Sequence, residues 1–174
     1  MHIERKREIE ILKNALKPGE ARMIMVRGNR GVGKTTLIKE IYKDYMLFEL
    51  TGVQNGTKKE QLDAFTDTLN SISKTKIERP KDWLNAIFQL QDVLDTLVSE
   101  DERQVIFFDE ISHLTTPKSN FISYLGHFWN IWASWKNVVV VICDSDDAWV
   151  LENVIRVKGG LHNRIYRYIN MEAL

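Results

Sequence analysis

Residues 28–35 read Gly-Asn-Arg-Gly-Val-Gly-Lys-Thr. An apolar run, Met23-Ile24-Met25-Val26, precedes them, and Leu37, Ile38, Ile41 and Tyr45 follow at helical spacing. Strand, glycine loop and helix in that order admit few folds. The loop fits the pattern G-x-x-x-x-G-K-[ST]. Its glycines let the backbone curl so that N–H groups point inward at phosphate oxygens. The helix that starts near Gly33 adds its positive end. In this reading Lys34 reaches the β- and γ-phosphates and the Thr35 hydroxyl ligates Mg²⁺. Gly28, Asn29, Arg30, Gly31, Val32, Gly33, Lys34, Thr35 and Thr36 are therefore the expected nucleotide-binding residues, with ATP and Mg²⁺ as ligands. Chance gives such a match in a chain of this length on the order of once in a hundred. The flanking strand and helix make chance the weaker account.

The rest of the chain alternates in the same way. Apolar residues at Ile9, Leu12 and Leu16 predict a helix over 3–16, closed by Pro18-Gly19. Strands are expected at 22–26, 46–50, 105–108, 138–143 and 165–169. A helix over 58–72 carries Leu62, Phe65, Leu69 and Ile72 on one face. Pro80 is suited to start another, with Trp83, Ile87, Leu90, Leu94 and Leu97 on its stripe. After Pro117 comes an aromatic helix over 121–135. Its apolar residues occupy more than one face, so most of it is expected in the core and part of it could cover a partner. Apolar strands that alternate with helices mean a parallel sheet covered on both faces.

The run Val105-Ile106-Phe107-Phe108-Asp109-Glu110 is an apolar strand that ends in two carboxylates. Ligands of parallel sheets sit beyond the strand carboxyl ends. The acidic pair and the glycine loop should then share one edge. Asp109 can hold Mg²⁺ through its water shell, and Glu110 can polarise an attacking water. The alternative is a solvated loop start. Further on, Gly159-Gly160-Leu161-His162-Asn163-Arg164 is either punctuation before the last strand or a means to bring Arg164 to the γ-phosphate, in the same chain or from a neighbour.

Residues 28–38, then Phe107-Phe108-Asp109-Glu110, then Ile142-Cys143 with Ser145 and Trp149, then 159–164, together resemble the prokaryotic AAA-like ATPases often called archaeal ATPases, related to the STAND class. The opening Ile3-Glu4-Arg5-Lys6-Arg7-Glu8-Ile9 is similar to the family's start, which lies near adenine and ribose. The resemblance implies a three-layer α/β P-loop NTPase fold with a mainly parallel five-stranded sheet in the order 5-1-4-3-2. It implies that Ser145 reads the γ-phosphate and positions water; a strand cap at Asp144 or Ser145 is the alternative. Glu110, Lys34, Ser145 and Arg164 are then the catalytic candidates, and Thr35 and Asp109 the metal ligands. Asp144 stands where the family usually has glycine, and its carboxylate could repel nucleotide or face away. Family members continue into a helical lid, a winged-helix domain and often a nuclease-like domain. Residues 1–174 are expected to be the ATPase core alone, either a piece of a longer protein or a natural remnant, with weaker binding and slower turnover for want of the lid. A protein partner or those further domains would complete it. Nucleic acid is implied by the full-length architecture and not by this chain.

Composition sets limits. Lys plus Arg and Asp plus Glu are both 24, for zero net charge, so general attraction to nucleic acid or anionic membrane is not expected. Arg156, Lys158, Arg164 and Arg167 read as a modest, solvated basic cluster. The lone Cys143, the charged start and the want of a membrane-length apolar run suit a cytoplasmic protein. His2, His113, His127 and His162 lack metal-ligand spacing. The expected activity is in-line attack of water on the γ-phosphate, used as a conformational switch. A binding module that orders a partner surface with negligible turnover is the main rival. A small-molecule phosphotransferase would want an acceptor pocket and an arginine-rich lid. A GTPase would want Asn-Lys-x-Asp where Cys143-Asp144-Ser145-Asp146 stands.

Overall fold

The computed structural model describes residues 5–174. The expected helix start at Ile3, and with it His2, Ile3 and Glu4, lies outside the described residues. Five strands form one sheet: β1 (Arg22–Arg27), β2 (Met46–Thr51), β3 (Gln104–Asp109), β4 (Val138–Asp144) and β5 (Ile165–Asn170). Their order is β2-β3-β4-β1-β5, and every neighbouring pair is parallel. This is the expected 5-1-4-3-2 read from the other edge. Each strand runs one or two residues beyond its apolar core, so Arg27, Asp109 and Asp144 still belong to the ladder.

Alternation along the central strands divides the core in two. Val138, Val140 and Ile142 of β4 join Ile106 and Phe108 of β3 on one face; Val139, Val141 and Cys143 join Val105 and Phe107 on the other. Against the second face pack α1 (Lys6–Ala15) and α2 (Lys34–Tyr42), through Leu12, Leu37, Ile38 and Tyr42. Against the first pack α3 (Lys58–Ile72), α4 (Trp83–Asp95), the short α5 (Ile111–Leu114) and α6 (Phe121–Ile131). A short helix, α7 (Asp147–Val150), follows β4. Five rings close a loop on the first face: Phe48, Phe65, Trp83, Phe121 and Phe108, with successive centroids 4.7–6.1 Å apart. Edge-to-face pairs of this kind each add about 0.5–1.5 kcal/mol beyond burial. They clamp α3, α4 and α6 onto β2 and β3, which fixes the strand that carries Asp109.

Two boundaries differ from expectation. Pro80 does not open α4; Asp82 caps it by accepting from the Asn85 N–H, so the helix begins at Trp83 and Leu97 lies past its end. The aromatic segment is not one helix. It stops at Ile131, and Trp132 turns back to stack on Phe128 at 5.3 Å and to donate its indole N–H to Asp95 at 2.7 Å. A tight turn, Ala133–Trp135, then leaves Trp135 81% exposed.

At the opposite edge from the strand carboxyl ends, Arg103 is buried and donates to the carbonyls of Ala15, Gly19 and Glu20 and to the Asn137 side chain. It ties α1, the turn into β1 and the entries of β3 and β4 together. Arg103→Met would leave these acceptors unpaired, at a cost of about 1–3 kcal/mol. Urea unfolding should show that loss of stability, and a change below about 0.5 kcal/mol would refute the role assigned to Arg103.

Candidate nucleotide site

The glycine loop leaves β1 at Arg27 and enters α2 at Lys34. Three of its glycines have positive φ: Gly28 at 156°, Gly31 at 87° and Gly33 at 95°. At Gly28 a side chain is also excluded by space, because a Cβ there would lie 2.3 Å from the Met171 carbonyl oxygen. That carbonyl belongs to the segment after β5, which is hydrogen-bonded to the strand before the loop: the Met171 N–H donates to the Arg27 carbonyl at 2.8 Å. On the loop's other side, buried Arg5 donates to the Val32 carbonyl at 3.2 Å. The expected start segment thus meets the loop through Arg5; its Ile3 and Glu4 are outside the described residues.

Lys34 is 5% exposed, and its ammonium donates to the carbonyls of Gly28 at 2.6 Å and Asn29 at 3.0 Å. A buried cation curled inside its own loop, with no carboxylate partner among the described residues, is matched to an anion that the loop could admit. Thr35 lies in the first turn of α2, and its hydroxyl donates to Asp109 Oδ2 at 2.6 Å. Thr36, next in line, is exposed, as are Asn29 and Arg30.

Glu110 follows β3 in the left-handed region, φ 51°. Its N–H donates to Asp109 Oδ1 at 2.9 Å, and its carboxylate accepts from the Ser145 hydroxyl at 2.7 Å. Ser145 therefore meets Glu110, from the end of the neighbouring strand. Asp144, the departure from the family pattern, is buried, and it borders the same cavity as Asn29, Arg30 and Glu110. It accepts from the N–H groups of Ser112 at 2.7 Å and Asp146 at 2.8 Å. Burial raises its carboxyl above the ordinary range, against the pull of those two amides. Burial, and after it the Asp109 charge, holds the Cys143 thiol well above its usual value, which makes it a packing residue.

Glu110, Asp144 and Ser145 border a cavity of about 600 Å³ at the strand carboxyl ends, lined also by Asn29, Arg30 and Trp149, beside Lys34, Thr35 and Asp109 rather than around them. Its lining is mostly polar and includes Glu110, Asp144, Asp146 and Asp147. No cluster of three or more His, Cys, Asp or Glu among the described residues could hold a metal by protein ligands alone. Thr35 and Asp109 offer two hard oxygens, which fits a cation completed by phosphate and water oxygens.

Arg164 lies apart from the loop. Its guanidinium donates to Asn130 Oδ1 at 2.9 Å and to the carbonyls of Gly159 at 3.1 Å and Gly160 at 2.7 Å. The glycine pair and the turn Leu161–Arg164 fold it beside α6, where it lines a different cavity, one that no residue of the phosphate loop borders. Its bonds to Asn130, Gly159 and Gly160 hold it there. Conversely, His113 lacks metal-ligand spacing, yet its Nε2 lies 4.0 Å from Glu110 Oε2. The signal was present: a histidine three residues after Glu110 on a helical turn returns to the same side.

This geometry defines a nucleotide-binding ATPase domain. The sequence matches, over residues 2–174, the family described as the ATPase domain predominantly from Archaea, and the chain belongs to that family. No protein of curated function matches it. Among solved structures, the fold is similar to the Walker-type ATPase of Pyrococcus abyssi, with a TM-score of 0.65 and 17% identity over 97% of this chain and 53% of that one. It is also similar to the ORC2 protein of Aeropyrum pernix, solved in ADPNP and ADP complexes (0.63, 16%, 99% and 48%). A third is Drosophila ORC bound to DNA (0.65, 17%, 98% and 43%). The chain spans about half the length of these proteins.

Gly28→Ala tests whether the loop is as tightly held as its surroundings imply. The substitution should lower stability by at least about 1–3 kcal/mol from backbone strain, before any clash with Met171. A thermal melt unchanged from wild type would refute that.

Proposed function

We propose that the chain binds ATP in the loop of residues 28–35 and hydrolyses it by in-line attack of water, as the core of an AAA-like conformational switch. The observation that carries this reading is the meeting of three protein-only contacts at one edge: Lys34 on its loop carbonyls, Thr35 on Asp109, and Ser145 on Glu110. Each joins groups that suit a triphosphate and its attacking water. Lys34 exchanges the Gly28 and Asn29 carbonyls for β- and γ-phosphate oxygens. Loop amides and the start of α2 take the remaining phosphate charge. Mg²⁺, held by the Thr35 hydroxyl and by Asp109 directly or through water, would supply charge neutralisation at the phosphates. Glu110 accepts a proton from water, and Ser145 orients the Glu110 carboxylate or the γ-phosphate. Arg164 enters this reading only from a neighbouring molecule.

Ser145 also favours a second reading. Its bond engages Glu110 in a protein-only contact. A chain in which that bond persists would bind nucleotide and turn over negligibly, as a binding module. Further domains or a protein partner would then shift it. We place the chain in a reducing cytoplasm, on its single, buried cysteine. Among the described residues no helix is long and apolar enough to cross a membrane.

Phosphate release and nucleotide binding separate the readings. Lys34→Ala should abolish both. Glu110→Gln should retain binding while turnover falls by about 10²-fold or more, the range for a lost general base. Wild type that binds ATP tightly without release would support the module, and Glu110→Gln turning over at the wild-type rate would refute the assigned base.

A further inference from the structure

A second cavity is larger than the one at the loop. It measures about 830 Å³ and lies between α6, the loop 115–120 and the segment 157–164. The chain has zero net charge, yet among the described residues no Asp or Glu lines this groove, while Lys118, His127, Lys158 and Arg164 do. Lys118 and Lys158 are exposed. Arg164 is held in place by neutral acceptors alone, through Nε and Nη1, so its charge is fixed and uncompensated and Nη2 is left for a ligand.

The remaining lining suits more than an inorganic anion. Tyr124 and Trp149, both half-buried, offer aromatic surface. Asn120, Asn130 and Asn153 offer amides. Thr116 Oγ1 is enclosed and unpartnered. At the groove's mouth Lys118 and Asn120 both have left-handed backbones, φ 61° and 57°, a strained turn that opens α6 without a side-chain cap. Gly126 brings no side chain to the α6 wall, and a Cβ there would already touch Leu161 at 3.7 Å. Cations for a phosphate backbone beside aromatic faces for bases are the two components of single-strand recognition.

We propose that this groove binds single-stranded nucleic acid, its phosphodiester on Lys118, Lys158 and Arg164 and its bases against Tyr124 and Trp149. Trp149 also lines the loop cavity, so the two sites adjoin through one indole. The proposal does not rest on ATP hydrolysis and needs no second copy of the chain.

The probe is a fluorescein-labelled oligothymidylate of about a dozen nucleotides, followed by anisotropy at low salt. Wild type should bind it saturably, and more weakly as salt rises. Lys118→Glu with Lys158→Glu should weaken binding at least about tenfold, whereas Lys13→Glu with Lys17→Glu, equal in charge change and on the opposite side of the sheet, should cost less than about threefold. Tyr124→Ala should weaken binding at least about fivefold, as loss of a stacking face requires. Lys34→Ala should bind like wild type, which keeps the result apart from the phosphate loop. The proposal fails if the oligonucleotide does not bind, if both double variants lose equally, if Lys34→Ala abolishes binding, or if a polyglutamate peptide displaces the probe as well as unlabelled oligothymidylate does.

Discussion

The parallel register of β1, β4 and β3 carries the rest of the structure. Arg27 pairs with Asp144, and one strand further Phe108 pairs with Ile142. Three carboxyl ends are thereby level at one edge. The loop after β1, the acidic pair at the end of β3 and Ser145 after β4 need no further device to meet. A shift of one residue in β3 would turn Asp109 to the other face and separate it from Thr35. The two cores oppose such a shift, because alternate residues of β3 and β4 are packed against different helices. Register, packing and site are one constraint viewed at three scales.

The site formed this way is occupied by its own side chains. Lys34 lies on loop carbonyls, Thr35 on Asp109 and Glu110 on Ser145. These charged and hydroxyl groups thus have partners, as burial demands. Binding exchanges those bonds for bonds to phosphate and water. The net gain per exchanged hydrogen bond is modest, about 1 kcal/mol or somewhat more with a charged partner. Affinity must therefore come from the many converging loop amides and the fixed ammonium together, which is why the glycines and Lys34 sit in a loop held from both sides, by Met171 and by Arg5.

Much of this was legible in the residues. The strand order was implied by the family resemblance, and the sheet agrees with it. The loop and Asp109 were legible because their chemistry is local: spacing dictates backbone conformation at Gly28, and an apolar strand dictates where Asp109 emerges. Arg164 was not. Its placement depends on how residues 157–164 fold against α6, and no periodicity encodes an arginine turned toward Asn130. The start of α4 was misread because Pro80 and Asp82 both suit a helix entry and only the Asn85 bond decides between them. The break at Trp132 was hidden for a similar reason. A tryptophan whose indole must reach Asp95 leaves the helix, and that partner lies in another helix. His113 at Glu110 is readable from helical spacing, which metal-ligand spacing does not capture.

The central claim is that the loop of residues 28–35 receives a triphosphate on Lys34. Calorimetric titration of ATP into the purified chain, in the presence of Mg²⁺, tests it most directly. The account predicts saturable binding at one site per chain, weakened when Mg²⁺ is chelated. Heat no greater than dilution, from a chain shown to be folded, would contradict it.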